Sequence, residues 1–229
     1  MLDARHPFFP TFVRLMSEVA AKPPVYDFGT NGRFTKEVGL VRHLFDEKEY
    51  RAGGFHPDNL GKLGGCDFDC DLENMQDIRD GSVGSAICME VLEHVQHPAR
   101  AVGEIHRVLE AQGIAIVSVP FYISYHGKSE ARSNPLICQQ GMWRSDNRHS
   151  DYGDYWRFTH EGIALLFAEV GFRRVDVYPV DGWLISRLQV LGLYHGLSKL
   201  PGMAAFLRKL DRPQLGRATT MHFVRAEKA

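Results

Sequence analysis

The stretch VYDFGTNGRF, residues 25–34, contains the pattern that decides the fold. Its first four residues favour a β-strand, and the segment from Gly29 to Gly32 favours a tight turn. Apolar residues at helical spacing follow, at Phe34, Val38, Val41 and Phe45. Strand, glycine turn and helix in this order are typical of the ligand-binding corner of an α/β sheet. Asp27 beside the turn disfavours a pyrophosphate and favours a ligand with ammonium or hydroxyl donors.

The rest of the chain alternates between strand and helix patterns. Strands are predicted at 50–55, 85–89, 114–119, 175–180 and 219–225, and helices at 8–21, 98–113 and 159–170. This alternation predicts a doubly wound, mostly parallel Rossmann-like sheet with helices on both faces. Ligands of such sheets bind at the carboxyl ends of the strands, near the point where the strand order reverses.

Composition sets limits on the function. The chain has 229 residues and a formal net charge of −1, which fits a single globular domain over 1–229 and no nucleic-acid partner. The four cysteines are not spaced as a zinc site, and no apolar run is long enough to span a membrane. We expect a cytoplasmic protein whose oligomeric state is open.

Two segments do not fit the alternating pattern. Residues 120–158 form a connection too long for a simple loop, and they are rich in aromatic residues and histidines. We expect a lid over the crevice that forms most of an acceptor pocket. Residues 183–215 are expected to be a helical insertion before the last strand. Its apolar part, 183–206, is expected to belong to the core rather than to a lipid-facing surface.

Five motifs occur in a characteristic order. They are DFGTNG (27–32), CDLENM (70–75), MEVLEHV (89–95), HRVLEAQGIAIVSVPF (106–121) and DYWRFTHEGIALLFAEVGF (154–172). Together they resemble the class I S-adenosylmethionine-dependent methyltransferases, in particular the small methyltransferase-domain type in which the fourth strand runs into EVLEH. The resemblance covers residues 24 to 180 approximately. It implies a seven-stranded sheet with a C-terminal antiparallel strand, and S-adenosylmethionine as cofactor.

The resemblance also implies roles for the first motif. Asp27, Gly29, Thr30 and Gly32 match the positions that hold the methionine end of the cofactor. An acid beside a helix start suits a group that carries both an ammonium and a carboxylate.

The later motifs supply the other cofactor positions. Asp71 matches the acid that accepts a hydrogen bond from the adenine amine, with the Leu72 backbone beside it. Met89 and Glu90 match the end of the fourth strand, which lines the pocket. His56 stands where the family usually has an acid for the ribose hydroxyls.

The chemistry implied is an in-line transfer of a methyl group from a sulfonium to a nucleophile, in which positioning supplies most of the catalysis. An oxygen nucleophile needs a general base. The catalytic candidates are His126, in the long 120–158 segment, and His94, in the turn after the fourth strand. The acceptor is expected to be a small molecule or a saccharide.

Other interpretations of the same residues stay open. Asp27 could cap the turn, Asp71 could belong to a solvated acidic loop, and His94 could be a buried structural histidine. A protein of this fold that binds or scaffolds without catalysis would fit the short glycine turn and His56. A nicotinamide oxidoreductase fits less well, because the first glycine of G-x-G-x-x-G is missing.

Overall fold

The computed structural model describes residues 4, 6–54, 65–126, 153–211 and 219–229. The strands are β1 Val25–Phe28, β2 Tyr50–Gly54, β3 Phe68–Asp69, β4 Val83–Met89, β5 Leu109–Pro120, β6 Arg174–Pro179 and β7 Met221–Glu227. The α-helices are α1 Phe9–Ala20, α2 Pro98–Val108, α3 His160–Val170, α4 Trp183–Val190, α5 Tyr194–Ser198 and α6 Met203–Leu210. A 3₁₀ helix, Lys36–Leu44, lies between β1 and β2.

The seven strands form one sheet in the order β3-β2-β1-β4-β5-β7-β6. The pairs from β3 to β5 are parallel, and β7 runs antiparallel to both β5 and β6. This arrangement confirms the predicted fold class. The strand order reverses between β1 and β4, so the carboxyl ends of these two strands frame the expected ligand crevice.

Helices cover both faces of the sheet, as predicted. On one face, α1 and the 3₁₀ helix bury apolar residues such as Phe12 and Val41 against the sheet. On the other face, α2 and α3 pack residues such as Ile105 and Phe167 into a second core. The positions buried by α1 recur three to four residues apart, which explains why this helix was visible in the sequence.

The boundary between α2 and β5 differs from the prediction. The helix ends at Val108, and the extended backbone of Leu109 begins β5, whereas the sequence pattern placed the end of the helix at Gly113. Gln112 has a positive φ of 61°, and the pairing of β4 with β5 shifts register in this region. Gly113 therefore marks an irregularity within a strand, a second common role of an isolated glycine.

The segment 183–206 is less buried than expected. It contributes Ile185 to the core, but Trp183, Leu191 and Phe206 are each about half exposed or more (49%, 68% and 55%). The expectation that this segment belongs to the core is wrong for most of its residues, which are exposed or half-buried. Among the described residues, no helix is long and apolar enough to cross a membrane.

Candidate functional site

The glycine turn after β1 touches the loop after β4. Phe28 at the end of β1 pairs with Cys88 near the end of β4, so the two following loops start side by side. Gly29 has a φ of 72°, and a Cβ added there would lie 2.4 Å from Cγ2 of Val91. Only glycine combines that backbone with that contact. The two loops therefore form a continuous edge at the point where the strand order reverses.

Asp27 is held in place from β2. Its side chain is buried, with the residue 3% exposed, and it accepts a hydrogen bond from the hydroxyl of Tyr50. Burial of Tyr50, together with the negative charge of Asp27, raises the pKa of the tyrosine well above its usual value. Phe34 stacks on the Tyr50 ring at 4.1 Å between centroids. The carboxylate thus sits next to the turn with its position fixed by an aromatic cluster.

The turn itself is braced internally. The Thr30 hydroxyl donates to the carbonyl of Gly32 at 2.8 Å and also contacts the Thr35 hydroxyl. One guanidinium nitrogen of Arg33 binds both carboxylate oxygens of Asp67, at 2.9 and 2.8 Å. These contacts tie the turn to the segment before β3 and give Gly29, Thr30 and Gly32 a defined backbone path.

The predicted adenine-side residues lie at the neighbouring edge. Asp71 is exposed two residues after β3, and its Oδ1 accepts from the backbone N–H of Glu73 at 2.9 Å. Leu72 turns its side chain into the core, which leaves its backbone for any ligand contact. His56 lies outside the described residues.

Met89 and Glu90 end the fourth strand as expected. Met89 is 5% exposed and belongs to the core on the α1 face. Glu90 has a positive φ of 54°, and its N–H donates to both the carbonyl and the hydroxyl of Ser118 at 3.1 Å. The backbone turns sharply here because β5 holds this peptide.

Gly84, near the start of β4, is a glycine for a local reason. A Cβ at Gly84 would lie 2.4 Å from the carbonyl oxygen of Pro23, and the Gly84 N–H donates to the carbonyl of Pro24. The chain entering β1 passes too close to leave room for a side chain.

Sequence reasoning missed Glu93 as an individual site residue, although it lies in the quoted EVLEH motif. Its side chain is fully buried, and neither carboxylate oxygen has a hydrogen-bond partner among the described residues. Nε2 of His94 lies 3.5 Å from Oε1 of Glu93, and Nε2 of His126 lies 3.7 Å from the same oxygen. The structure therefore brings the two predicted catalytic histidines together around a carboxylate.

The far nitrogens of the two rings are anchored. Nδ1 of His94 donates to the carbonyl of Gly153. Nδ1 of His126 lies 3.3 Å from the Ser124 carbonyl and 3.4 Å from Oδ2 of Asp154. Burial lowers the pKa of His94, whereas the Glu93 carboxylate is the main cause of a raised pKa at His126. Both rings consequently direct Nε2 at Glu93.

Both ends of the predicted lid meet at this cluster. The backbone N–H of His126 donates to Asp154 at 2.8 Å, and Arg157 pairs with the same carboxylate. The N–H of Tyr155 donates to the Glu93 carbonyl at 2.7 Å. Residues 127–152, which include His149, lie outside the described part, so the lid itself stays a prediction. Another histidine of the quoted motifs, His160, contacts His222 instead, with 6.1 Å between the two ring centroids.

The sheet order, the glycine turn and the loop after β4 occur in known proteins. A family model described as a methyltransferase domain matches residues 56–117. An S-adenosylmethionine-dependent methyltransferase structure from Thermotoga maritima, described as a possible histamine N-methyltransferase, superposes with a TM-score of 0.54 and 17% identity, covering 97% of this chain and 92% of that one. This is the class I methyltransferase fold. The fold that the sequence resemblance implied is confirmed.

Other solved structures share the fold. The methyltransferase from Mesorhizobium loti gives a TM-score of 0.53 at 14% identity, covering 96% of this chain and 97% of that one. The [4+2]-cyclase SpnF gives 0.53 at 16% identity, covering 95% and 80%. No curated protein sequence matches the chain. Because a cyclase shares the fold with methyltransferases, the reaction must be argued from the site.

Proposed function

We propose that the protein is an S-adenosylmethionine-dependent methyltransferase that acts on a small-molecule or saccharide acceptor. The observation that carries the proposal is the contact between Gly29 and Val91, which joins a glycine turn to the loop after β4 beside the buried Asp27 carboxylate. This crevice lies where the strand order reverses, the usual ligand position in such sheets.

The residues present fit the cofactor chemically. S-adenosylmethionine presents an ammonium, a ribose diol and an adenine amine as donors, and it supplies a methyl group on a positively charged sulfur. The crevice edge offers acceptors, a buried carboxylate at Asp27 and an exposed one at Asp71. The absence of a side chain at Gly32 lets a ligand approach the backbone closely, whereas the space beside Gly29 is taken by Val91.

Each end of the crevice has its own task in this proposal. Asp27, held by Tyr50, would accept from the ammonium. The Gly32 end of the turn would meet the carboxylate, because the N–H groups of Gly29 and Thr30 already donate to the carbonyl of Gly53. Because the Tyr50 bond already fixes the carboxylate, little ordering is needed when the ligand binds.

The adenine end relies on other residues. Asp71 would accept from the adenine amine beside the Leu72 backbone, with Met89 and Glu90 forming the adjoining wall. Asp71 is solvent-exposed and its Oδ1 is already used by the loop, which leaves Oδ2 for the ligand. His56 is proposed to face the ribose.

The acceptor is proposed to bind on the side of His94 and His126. His94 lies on the segment after β4, whose end frames the crevice, and His126 lies on the segment after the neighbouring strand β5. Residues 120–158 would close over the acceptor and exclude water, and their two described ends already pack on the Glu93 loop. The two histidines are the groups that would handle the proton of a hydroxyl nucleophile.

Thermal unfolding tests the cofactor part of this proposal. S-adenosylhomocysteine at about 100 times its dissociation constant should add roughly 2.7 kcal/mol to the free energy of unfolding. We expect a rise in Tm with S-adenosylmethionine and S-adenosylhomocysteine and none with NAD. No shift with millimolar concentrations of the first two would contradict the proposal and favour a non-catalytic protein of the same fold.

A further inference from the structure

We propose that Glu93, His94 and His126 form a binding site for a divalent transition-metal ion. Each of the three side chains offers one ligand atom, and these atoms all lie within 4.8 Å of one another. The site is formed where the loop after β4 meets the segment after β5, beside the crevice but separate from the residues proposed to bind the cofactor.

The environment of the Glu93 carboxylate supports a bound ion. Its side chain is 0% exposed, and both carboxylate oxygens are without a hydrogen-bond partner among the described residues. Burying a carboxylate without such partners is expensive, and buried charges in proteins are normally paired or coordinate a metal. The oxygens therefore point to a ligand.

The geometry of the two imidazoles also fits a bound ion. Their Nε2 atoms lie 3.5 and 3.7 Å from Oε1 of Glu93, too far for a direct hydrogen bond. An ion bound at about 2.0–2.2 Å by nitrogen and oxygen ligands fits between atoms at such separations after small side-chain adjustments. The rings of His94 and His126 are nearly perpendicular, at 89°, so they approach that point from different directions.

The second nitrogen of each ring, Nδ1, faces an acceptor. Histidines that bind metals nearly always direct the second ring nitrogen to a carbonyl or a carboxylate, which fixes the tautomer and the orientation. Nδ1 of His94 meets the Gly153 carbonyl, and Nδ1 of His126 faces the Ser124 carbonyl and Asp154. Asp154 is itself held by Arg157. This is the support that a metal site needs.

The donor set narrows the choice of ion. Two imidazoles and one carboxylate suit Zn²⁺ or Fe²⁺, whereas Mg²⁺ and Ca²⁺ prefer oxygen ligands. Three protein ligands leave at least one coordination position open, which is typical of catalytic sites.

The open position suggests a role, which rests on the proposed function. A hydroxyl of the acceptor bound to the ion would lose its proton to solvent more easily, since a bound cation lowers the pKa of an attached oxygen. An oxygen lone pair would then form the bond to the methyl carbon, while the electron pair of the breaking C–S bond stays on sulfur. With the ion bound, His94 and His126 would act as metal ligands, and solvent instead of their imidazoles would take the proton. The acceptor class would be an alcohol or a phenol.

The test uses the full chain after treatment with a chelator. Calorimetric titration with Zn²⁺ should show one site per chain, and Co²⁺ should give visible absorption bands from a bound ion. Glu93→Gln and His126→Ala should each weaken Zn²⁺ binding by more than about 100-fold, beyond the 10- to 100-fold typical of outer partners. Asp154→Asn should fall within that outer range. His97→Ala, an exposed histidine of the same loop, is the matched control and should bind as wild type.

Two results would overturn the proposal: no Zn²⁺ binding by wild type, or unchanged binding by Glu93→Gln in a protein that melts cooperatively. The isosteric glutamine variant keeps the test valid if His126→Ala fails to fold. S-adenosylhomocysteine is titrated into the same chelated protein, because the cofactor residues are separate from the metal ligands. Zn²⁺ binding without S-adenosylhomocysteine binding would refute the proposed function and leave the metal site standing, and the reverse result would do the opposite.

Discussion

Two carboxylates near the ends of adjacent strands have opposite environments. Asp27, in β1, is 3% exposed and accepts a hydrogen bond from Tyr50. Glu93, four residues after β4, is 0% exposed and has no hydrogen-bond partner among the described residues. The fold gives the Asp27 carboxylate a hydrogen bond. It brings the Glu93 carboxylate near two histidines but gives it no hydrogen bond among the described residues.

The difference separates structural support from a binding site. A buried polar group that the fold satisfies stabilises the native state and orients what lies beside it. A buried charge left without hydrogen bonds lowers stability, so it points to a ligand that would pair with it. Asp27 therefore reads as a fixed wall of the cofactor crevice, and Glu93 as the centre of a ligand site.

The largest effect is expected at the contact between the two loops. Gly29→Ala places a Cβ against Val91 at a φ of 72°, so we expect a loss of about 2–5 kcal/mol from backbone strain and overpacking together. Gly81→Ala is the control, because Gly81 has a φ of 60° but open space around its Cβ, and it should lose only about 1–2 kcal/mol. Chemical denaturation measures both.

A double variant sharpens this test. In Gly29→Ala/Val91→Ala, the overpacking part should be relieved while the backbone strain remains, giving a clear coupling energy between the two sites. Equal losses of stability for Gly29→Ala and Gly81→Ala would show that the loops do not touch as described. The two loops would then not form a shared edge of the crevice.

His222 offers a third buried polar group for comparison. It is 1% exposed, neither ring nitrogen has a hydrogen-bond partner among the described residues, and burial, followed by the charge of His160, lowers its pKa to about 4. In the unfolded chain this histidine takes up a proton near pH 6.5, whereas in the native state it stays neutral until the pH is close to 4. Stability contributed by neutral His222 should be complete above pH 6.5 and fall by about 2–3 kcal/mol as the pH drops to 4.

His222→Phe should flatten this part of the stability profile, measured by denaturation at several pH values. His43→Gln, at an exposed position, should keep the wild-type slope. If His222→Phe keeps the wild-type dependence of stability on pH, the buried ring is solvated. The Glu93 carboxylate could then be solvated in the same way.

Stability without metal compares the two acids directly. Asp27→Ala leaves the buried Tyr50 hydroxyl without its partner and should lose about 1–3 kcal/mol. Glu93→Gln removes an unsatisfied buried charge, so the metal-free variant should be at least as stable as wild type. A loss of more than about 1 kcal/mol in Glu93→Gln would mean that the fold already satisfies this carboxylate.

The smallest effect on stability is expected at Asp71. Because the residue is exposed, Asp71→Ala should change the free energy of unfolding by no more than about 0.5 kcal/mol. It should weaken S-adenosylhomocysteine binding by about 1–3 kcal/mol if its carboxylate meets the adenine amine. Asp77→Ala, an exposed acid of the same loop, should leave affinity unchanged. Calorimetry showing equal affinity for both variants and wild type would remove Asp71 from the site.

Much of the architecture followed from local patterns. The glycine turn at 29–32, the capped helix from Thr159 to Gly171 and the apolar strand ending at Pro120 each carry their own signals, and each lies where predicted. The two-residue strand β3 has too few residues for any periodicity, so only the family resemblance pointed to it. The end of α2 at Val108 was misplaced because tertiary pairing with β4 overrides the helical pattern.

The site was less predictable than the fold. His94 and His126 were visible as titratable residues, but an acid in a turn reads as solvated, so Glu93 was not singled out. The segment that contacts this loop, through the Tyr155 N–H to the Glu93 carbonyl and the Gly153 carbonyl to His94, lies about 60 residues away in the chain. The adjacent Glu93 and His94 pair was the one local signal that could have raised the question.

A crystal structure grown with S-adenosylhomocysteine tests the central claim most directly. We expect density for the ligand between the 29–32 turn and the loop after β4, with its amino-acid end beside Asp27 and its adenine beside Asp71. A crevice without density at millimolar ligand, or density at another part of the molecule, would contradict the proposed methyltransferase function.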